Sequence, residues 1–334
     1  MTSNTAIMIC GHGSRDGEAV SEFNSLARHM RGRFPHYDVE SGFLEFAKPV
    51  IREGLEKLKG RGAKRIVCLS GMLFAAGHVK NDLPSEINEF AAENPGIEVL
   101  FGRELAVDAK LLRASSERIE EAVKRAGAEV ARKETLLMVV GRGTSDSDAN
   151  SNISKVTRML WEGMGFGWGM TSYSGVTYPL VDAGLARAAK LGYRRIVVFP
   201  YFLFTGVLVR RIHDWTDEAA ARHPEIEFLK AGYINDHPNL IESFAERVNE
   251  TLSGDNNMNC RLCKYREQII GYEGEVGMKQ TGHHHHVRGI GTDADHAHHH
   301  HDRLYRRDHH PLPHDLEERE EAWPSQDGGG RCHV

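Results

Sequence analysis

Short apolar runs alternate with longer amphipathic stretches through the first 250 or so residues of this chain. Residues 6–10 (AIMIC) are apolar without a polar alternate, which reads as a buried strand, and they break into Gly-His-Gly-Ser, which reads as a tight turn. The pattern then predicts a helix over 18–32, a strand over 39–44 and a helix over 49–59. A strand over 65–69, a helix over 83–93, a strand over 97–101 and a helix over 108–126 follow. From Thr135 the order repeats and ends in a helix over 239–252. Strands alternating with helices form parallel sheets built of βαβ units, so the chain is predicted to be an α/β protein.

The repetition extends to the residues themselves. IMICGHGSRD, starting at Ile7, is answered by LMVVGRGTSD, starting at Leu137, 130 residues on. The same offset pairs Pro49 with Pro179, the stretch 54–67 with 184–197, and Leu73-Phe74 with Leu203-Phe204. One offset recurring at separated places marks an internal duplication. The expected organisation is two similar domains, 1–130 and 131–253, each a parallel sheet flanked by helices, followed by a tail over 254–334.

Composition changes the picture only in that tail. The hydrophobic fraction of 40% is low for a globular chain, and residues 255–334 account for it: they hold 13 of the 20 histidines and few periodic apolar positions. A segment of that composition is expected to be disordered, because it buries too little surface to offset the entropy of ordering. The net charge of −5 gives no case for a nucleic-acid partner or an anionic membrane. Neither a secretory leader nor a run of roughly 18 apolar residues is present, which predicts a soluble, cytoplasmic protein. Five cysteines, most of them far apart, do not make a disulfide framework. Cys10 and Cys68 fall in predicted strands and are expected in the core.

Ligands of open parallel sheets bind beyond the carboxyl ends of the strands. Three groups of the first copy lie there: His12, Glu45 and His78. Imidazole and carboxylate are ligands for divalent first-row metals, and both accept protons near neutral pH. A single histidine in a turn is commonly a solvent-facing or capping residue, so the comparison between the copies matters. At the 130-residue offset His12 becomes Arg142, Glu45 becomes Gly175 and His78 becomes Leu208. Groups that served the fold alone would be kept in both copies, which points to one active copy and one without the ligands.

The GHGS turn, FLEFAKP (from Phe43) and GMLFAAGHVKNDLP (from Gly71) resemble the sirohydrochlorin cobaltochelatases of cobalamin biosynthesis. These belong to the ATP-independent class II chelatases, and the resemblance covers residues 5–252, including the duplicated long form. It implies a class II chelatase-like fold and insertion of Co²⁺ into sirohydrochlorin, with His12 and His78 as the metal- and proton-handling pair and Glu45 as the assisting carboxylate. Glycines on both sides of His12 are expected to let a wide, flat macrocycle approach the backbone. Because sirohydrochlorin is a polycarboxylate, Arg15, Lys48, Lys80 and Arg142 are candidates for its carboxylates, and Met72, Leu73 and Phe74 for the ring face.

Two further signals lie in the tail. Cys260 and Cys263 have the C-x-x-C spacing of a zinc site, an iron–sulfur cluster or a redox pair. Long-form cobaltochelatases carry an M-x-C-x-x-C motif associated with an iron–sulfur centre, so the resemblance implies a 4Fe-4S cluster here, the remaining ligands coming from Cys332 or from a second subunit of a homodimer. The histidine runs 283–286 and 296–301 suit late first-row metals and weigh toward cobalt. The competing expectations are a sirohydrochlorin ferrochelatase for sirohaem and a cobalt or nickel storage protein acting through the tail.

Overall fold

The computed structural model describes residues 4–127 and 129–254. The opening apolar run forms β1 (Thr5–Gly11), paired in parallel with β2 (Asp38–Phe43) on one side and β3 (Arg65–Ser70) on the other. With β4 (Glu98–Phe101) these give a four-stranded sheet in the order β2-β1-β3-β4. The second copy builds the same sheet from β5 (Thr135–Gly141), β6 (Trp168–Tyr173), β7 (Arg195–Pro200) and β8 (Glu227–Lys230), in the order β6-β5-β7-β8. All these pairings are parallel, as the βαβ reading requires.

Helices α1 (Gly17–Arg33), α2 (Ile51–Gly60), α3 (Leu83–Glu93) and α4 (Ala109–Arg125) belong to the first copy. In the second copy α5 (Ser147–Met164), α6 (Val181–Ala189), α7 (Val207–Arg222) and α8 (Pro238–Ser253) take their places. Side-chain alternation divides each central strand between two cores. On one face Ile7, Ile9, Val67 and Leu69 meet Phe23 of α1 and Ile119 of α4, in a core that also holds Leu137, Val139, Ile153 and Phe244 of the second copy. On the other face Met8, Cys10, Ile66 and Cys68 pack against Leu55 of α2 and Phe90 of α3. Met138, Val140, Ile196 and Val198 pack likewise against Leu185 of α6 and Ile212 of α7. The copies thus share one interior, and each keeps a second core of its own. Burial pushes the Cys68 thiol pKa well up, in keeping with an inert core cysteine.

One departure from the duplication bears on the site. Gly77 begins a helix whose first turn, His78–Asp82, is π-helical before it continues as α3. Its counterpart α7 begins at Val207, 130 residues after Gly77, but ends at Arg222, 129 residues after Glu93. The first copy therefore carries one extra residue in this helix, and the π turn absorbs it.

The copies are joined by a reciprocal pair of ionic contacts. Asp16 caps the amino end of α1, accepting the Glu18 N–H, and Asp146 caps α5 in the same way, accepting from Asp148 and Ala149. Each also takes a cation from the opposite copy. The Lys80 ammonium donates to Asp146 at 2.5 Å and to Asp148 at 3.2 Å. Arg210 pairs with Asp16, and with Glu18 at 3.3 Å. Lys80 and Arg210 stand at the same 130-residue offset as their partners. Their surroundings differ: the Lys80 side chain is 4% exposed and that of Arg210 50%.

Removing the buried Lys80 ammonium strands Asp146, 7% exposed, whereas removing the half-exposed Arg210 opens Asp16, 9% exposed, to water. Lys80→Met is therefore expected to cost about 3–5 kcal/mol of unfolding free energy, and Arg210→Ala less than about 1 kcal/mol. Urea denaturation of the two variants followed by circular dichroism checks the difference, and equal losses would contradict the division into a buried and an exposed contact.

Candidate functional site

The turn after β1 carries His12 between Gly11 and Gly13, and the loop after β2 passes directly beside it. Gly13 has φ of +96°, and a Cβ there would lie 1.7 Å from the Glu45 carbonyl oxygen. Backbone bonds from Leu44 N–H to Gly11 O (2.8 Å) and from Glu45 N–H to His12 O (3.0 Å) lock the two segments together. A Cβ at Gly11 would lie 2.7 Å from the Phe23 ring. The flanking glycines thus make room for the protein's own Glu45 loop and Phe23 ring, which corrects the expectation that they clear space for a macrocycle. Their effect is to bring Glu45 alongside His12.

The π turn supplies the third group. His12 Nε2 stands 3.1 Å from His78 Nε2 and 3.3 Å from Glu45 Oε1. One ligand atom from each of the three lies within 4.8 Å of the others. Behind them, His12 Nδ1 is 2.9 Å from the Gly13 carbonyl, and His78 Nδ1 is 2.8 Å from the carboxylate of Asp82, itself buried. A carbonyl and a carboxylate both demand a donor, so each ring carries its proton on Nδ1 and turns the Nε2 lone pair inward. Two lone pairs and a carboxylate oxygen then converge on one point, an arrangement that calls for a cation between them. Backing of this kind, by carbonyl or carboxylate, fixes the orientation of metal-binding histidines and strengthens them as ligands. Two imidazoles and one carboxylate suit a divalent first-row metal and leave coordination positions open.

Burial above all, and then the neighbouring His78, hold the His12 pKa down to about 4, with Arg142 acting in the same direction. The bond to the Gly13 carbonyl and the charge of Glu45 oppose the shift. His12 is therefore neutral, and ready as a ligand, throughout the physiological range.

These groups stand at the edge of a cavity of about 900 Å³ that both copies line. Met72, Leu73 and Phe74 from the loop after β3 and Tyr201, Phe202 and Leu203 from the loop after β7 give it apolar walls, and Phe46 lies 5.9 Å from the His12 ring in a stacked arrangement. Of the four basic residues expected at the site, Arg15 and Arg142 line the cavity, with the Arg15 guanidinium 5.3 Å from the centre of the Phe46 ring. Of the other two, Lys80 is corrected: it is buried and engaged by Asp146 and Asp148, away from the cavity lining. Lys48 is exposed on the loop after β2 and also lies outside the lining.

The sequence reading passed over Asp82 and Arg210. Asp82 is legible as the residue four beyond His78 at a helix start, where the i,i+4 spacing places the two side chains together. Arg210 is legible only through the duplication, as the counterpart of Lys80. Cys260, Cys263, Cys332 and the histidine runs lie outside the described residues. Among the described residues no helix is long and apolar enough to cross a membrane.

Comparison with known proteins bears on this geometry. The profile of the family described as CbiX matches residues 6–122 and 136–251, one stretch in each copy. The sirohydrochlorin cobaltochelatase of Priestia megaterium is 38% identical over 270 residues, 79% of this chain and 86% of that protein. A sirohydrochlorin ferrochelatase of the same organism is 29% identical over 253 residues, 75% of this chain and 92% of its own length. Among solved structures, SirB from Bacillus subtilis with Fe³⁺ aligns with a TM-score of 0.67 at 26% identity, over 76% of this chain and 98% of the other.

In a histidine NMR titration, the resonance lost in His12→Ala should stay in its neutral position as the pH falls through 6.5 and should shift only near 4. Glu45→Gln should lower that midpoint further and Arg142→Ala should raise it, since each removes one charge. The unfolded chain takes up this proton near 6.5, so the fold loses stability as the pH drops across the same window. A midpoint at 6.5 in the folded protein would contradict the buried, neutral imidazole.

Proposed function

The chain belongs to the CbiX family, and from that premise we propose that it inserts cobalt(II) into sirohydrochlorin during cobalamin biosynthesis, without ATP. The observation that carries this reading is the convergence of His12 Nε2, His78 Nε2 and Glu45 on one point at the edge of a cavity spanning both copies.

On this reading His12 and His78 hold the incoming metal ion, and Glu45 completes its shell. The ion is a substrate, so it must be held and then surrendered; neutral imidazoles do this better than thiolates, which would retain it. The macrocycle lies against Met72, Leu73 and Phe74 with its carboxylates on Arg15 and Arg142. As the ring nitrogens replace the protein ligands, both pyrrole N–H protons must leave. Glu45 is one acceptor beside the metal, and His78, once released from the metal, is the other, with Asp82 stabilising the imidazolium that results. The balance is one divalent ion and one free-base ring giving one metallated ring and two protons. The low pKa of His12 suits it to the metal rather than to the protons.

Cobalt is favoured over iron by the higher identity to the cobaltochelatase than to the ferrochelatase, 38% against 29%, and by the histidine-rich sequence beyond residue 254. The same reading assigns Cys260 and Cys263 to a 4Fe-4S cluster completed by a second copy in a homodimer, assigns the histidine runs to metal supply rather than chemistry, and places the protein in the cytoplasm.

Purified protein mixed anaerobically with sirohydrochlorin and either Co²⁺ or Fe²⁺, followed by tetrapyrrole absorbance against protein-free controls, tests the reading. Cobalt should be inserted faster than iron. His12→Ala should slow insertion by on the order of 100-fold, Asp82→Asn should weaken cobalt affinity about 10- to 100-fold, and truncation after Gly254 should leave the rate at saturating metal intact. Faster iron insertion would assign the protein to sirohaem synthesis. Cobalt held by the tail alone, with no acceleration of either insertion, would leave a storage protein on a chelatase fold.

A further inference from the structure

Lys80 and Arg210 hold the same place in the two copies, yet only one of them faces the cavity. The Lys80 ammonium is enclosed by Asp146 and Asp148 and lies outside the cavity lining. Arg210 lines the cavity beside Thr205, Gly206 and Val207, with Asp16 also on the lining. Its backbone is fixed in the first turn of α7, donating to the Gly206 carbonyl at 3.1 Å, while its side chain is half exposed. The Glu18 carboxylate that it meets is 77% exposed.

We propose that Arg210 is a receptor for a substrate carboxylate, and that Asp16 and Glu18 hold its guanidinium in place until a carboxylate of the macrocycle displaces them. The assignment rests on the chelatase reading above and adds to it a residue that exchanges partners during binding. The pair with Glu18 is exposed and contributes little, and Asp16, 9% exposed, stays bonded within its helix cap, so transferring the half-exposed guanidinium to a ligand carboxylate in bidentate geometry is close to even or favourable. The residues left behind are not stranded. Asp16 keeps the Glu18 N–H at the start of α1, and Glu18 stays in the first turn of that helix, where negative charge is favoured. The same exchange at Lys80 would require uncovering an ammonium that is 4% exposed and lies outside the cavity lining, which confines it to the half-exposed Arg210. Arg15, Arg142 and Arg210 then present three guanidinium groups to one cavity, the recognition chemistry of a polycarboxylate rather than of a neutral or monoacidic ring.

The test uses the full chain, steady-state kinetics with sirohydrochlorin and Co²⁺, and the binding of metal-free sirohydrochlorin by fluorescence quenching. Arg210→Ala should raise KM and the dissociation constant about tenfold while kcat stays within about twofold. Asp16→Asn should act in the opposite direction and lower both constants about threefold, because asparagine keeps the helix cap and frees the guanidinium. A purely structural tie between the copies predicts shifts of the same sign, since both variants break the same contact. Shifts of the same sign, or unchanged constants in Arg210→Ala, overturn the proposal while leaving the chelatase reading intact. A wild-type chain that neither binds nor metallates sirohydrochlorin removes the reading and this assignment together.

Discussion

The cavity depends on a buried ion pair between the copies, in which the helix cap Asp146 draws Lys80 from the opposite half, with Asp16 and Arg210 as a looser counterpart. Asp16 and Asp146 would cap α1 and α5 unaided, but each also receives a cation from the opposite half, Arg210 and Lys80 respectively. Because the caps sit where the strand-end turns pass into helices, this exchange draws the two strand ends toward one another. An open parallel sheet offers a ligand only a crevice at its carboxyl edge. Two such edges held face to face give a walled cavity of about 900 Å³, lined from both sides. The shared core of Ile9, Leu69, Val139 and Phe199 supplies the cohesion, being apolar and non-directional. The charged contacts supply the register, because an ammonium enclosed by two carboxylates tolerates little displacement.

The same segments that make those contacts carry the candidate metal ligands. One π turn holds His78 toward His12, Lys80 toward Asp146 and Asp82 behind His78. An uninterrupted α-helix of one residue fewer, which is what the second copy has, would rotate these side chains relative to one another by roughly a quarter turn or more. The extra residue in the first copy is therefore tied to the junction between the halves as much as to the site. It lets one short turn serve a candidate metal position and a contact between the copies together.

What was legible in the sequence follows from what is local. The strands and helices fall where hydrophobic period and glycine punctuation place them, and the duplication is plain because its offset survives from β1 to β7. His12, Glu45 and His78 stood out because each follows a strand and none is kept in the second copy; the structure brings them within ligand distance of one another. Lys80 was misread for a matching reason. Its partners lie 66 and 68 residues away, in the other copy, and nothing local distinguishes a buried lysine from a solvated one. The glycines around His12 were assigned to the wrong neighbour, since a turn that needs space does not say what fills it. The π turn left no mark in the hydrophobic pattern, because one added residue shifts helical phase over a stretch too short to show a period.

The divergence of the second copy is more than a loss. A flat ring needs its metal delivered from one face, so a second pair of imidazoles across the cavity would compete for the ion rather than help to place it. At the position of His12 the second copy carries Arg142, whose charge adds a minor contribution to the lowering of the His12 pKa that burial and then His78 chiefly cause. A guanidinium there also repels a divalent cation and attracts a carboxylate. This residue, on the proposed reading, keeps the metal on the first wall and makes the second wall a surface for anions, adding to the burial that does most to keep His12 deprotonated. On the proposed reading, a duplicated fold with two equivalent edges becomes a cavity with a metal-bearing side and a carboxylate-bearing side, which is the asymmetry that inserting an ion into a polycarboxylate ring requires.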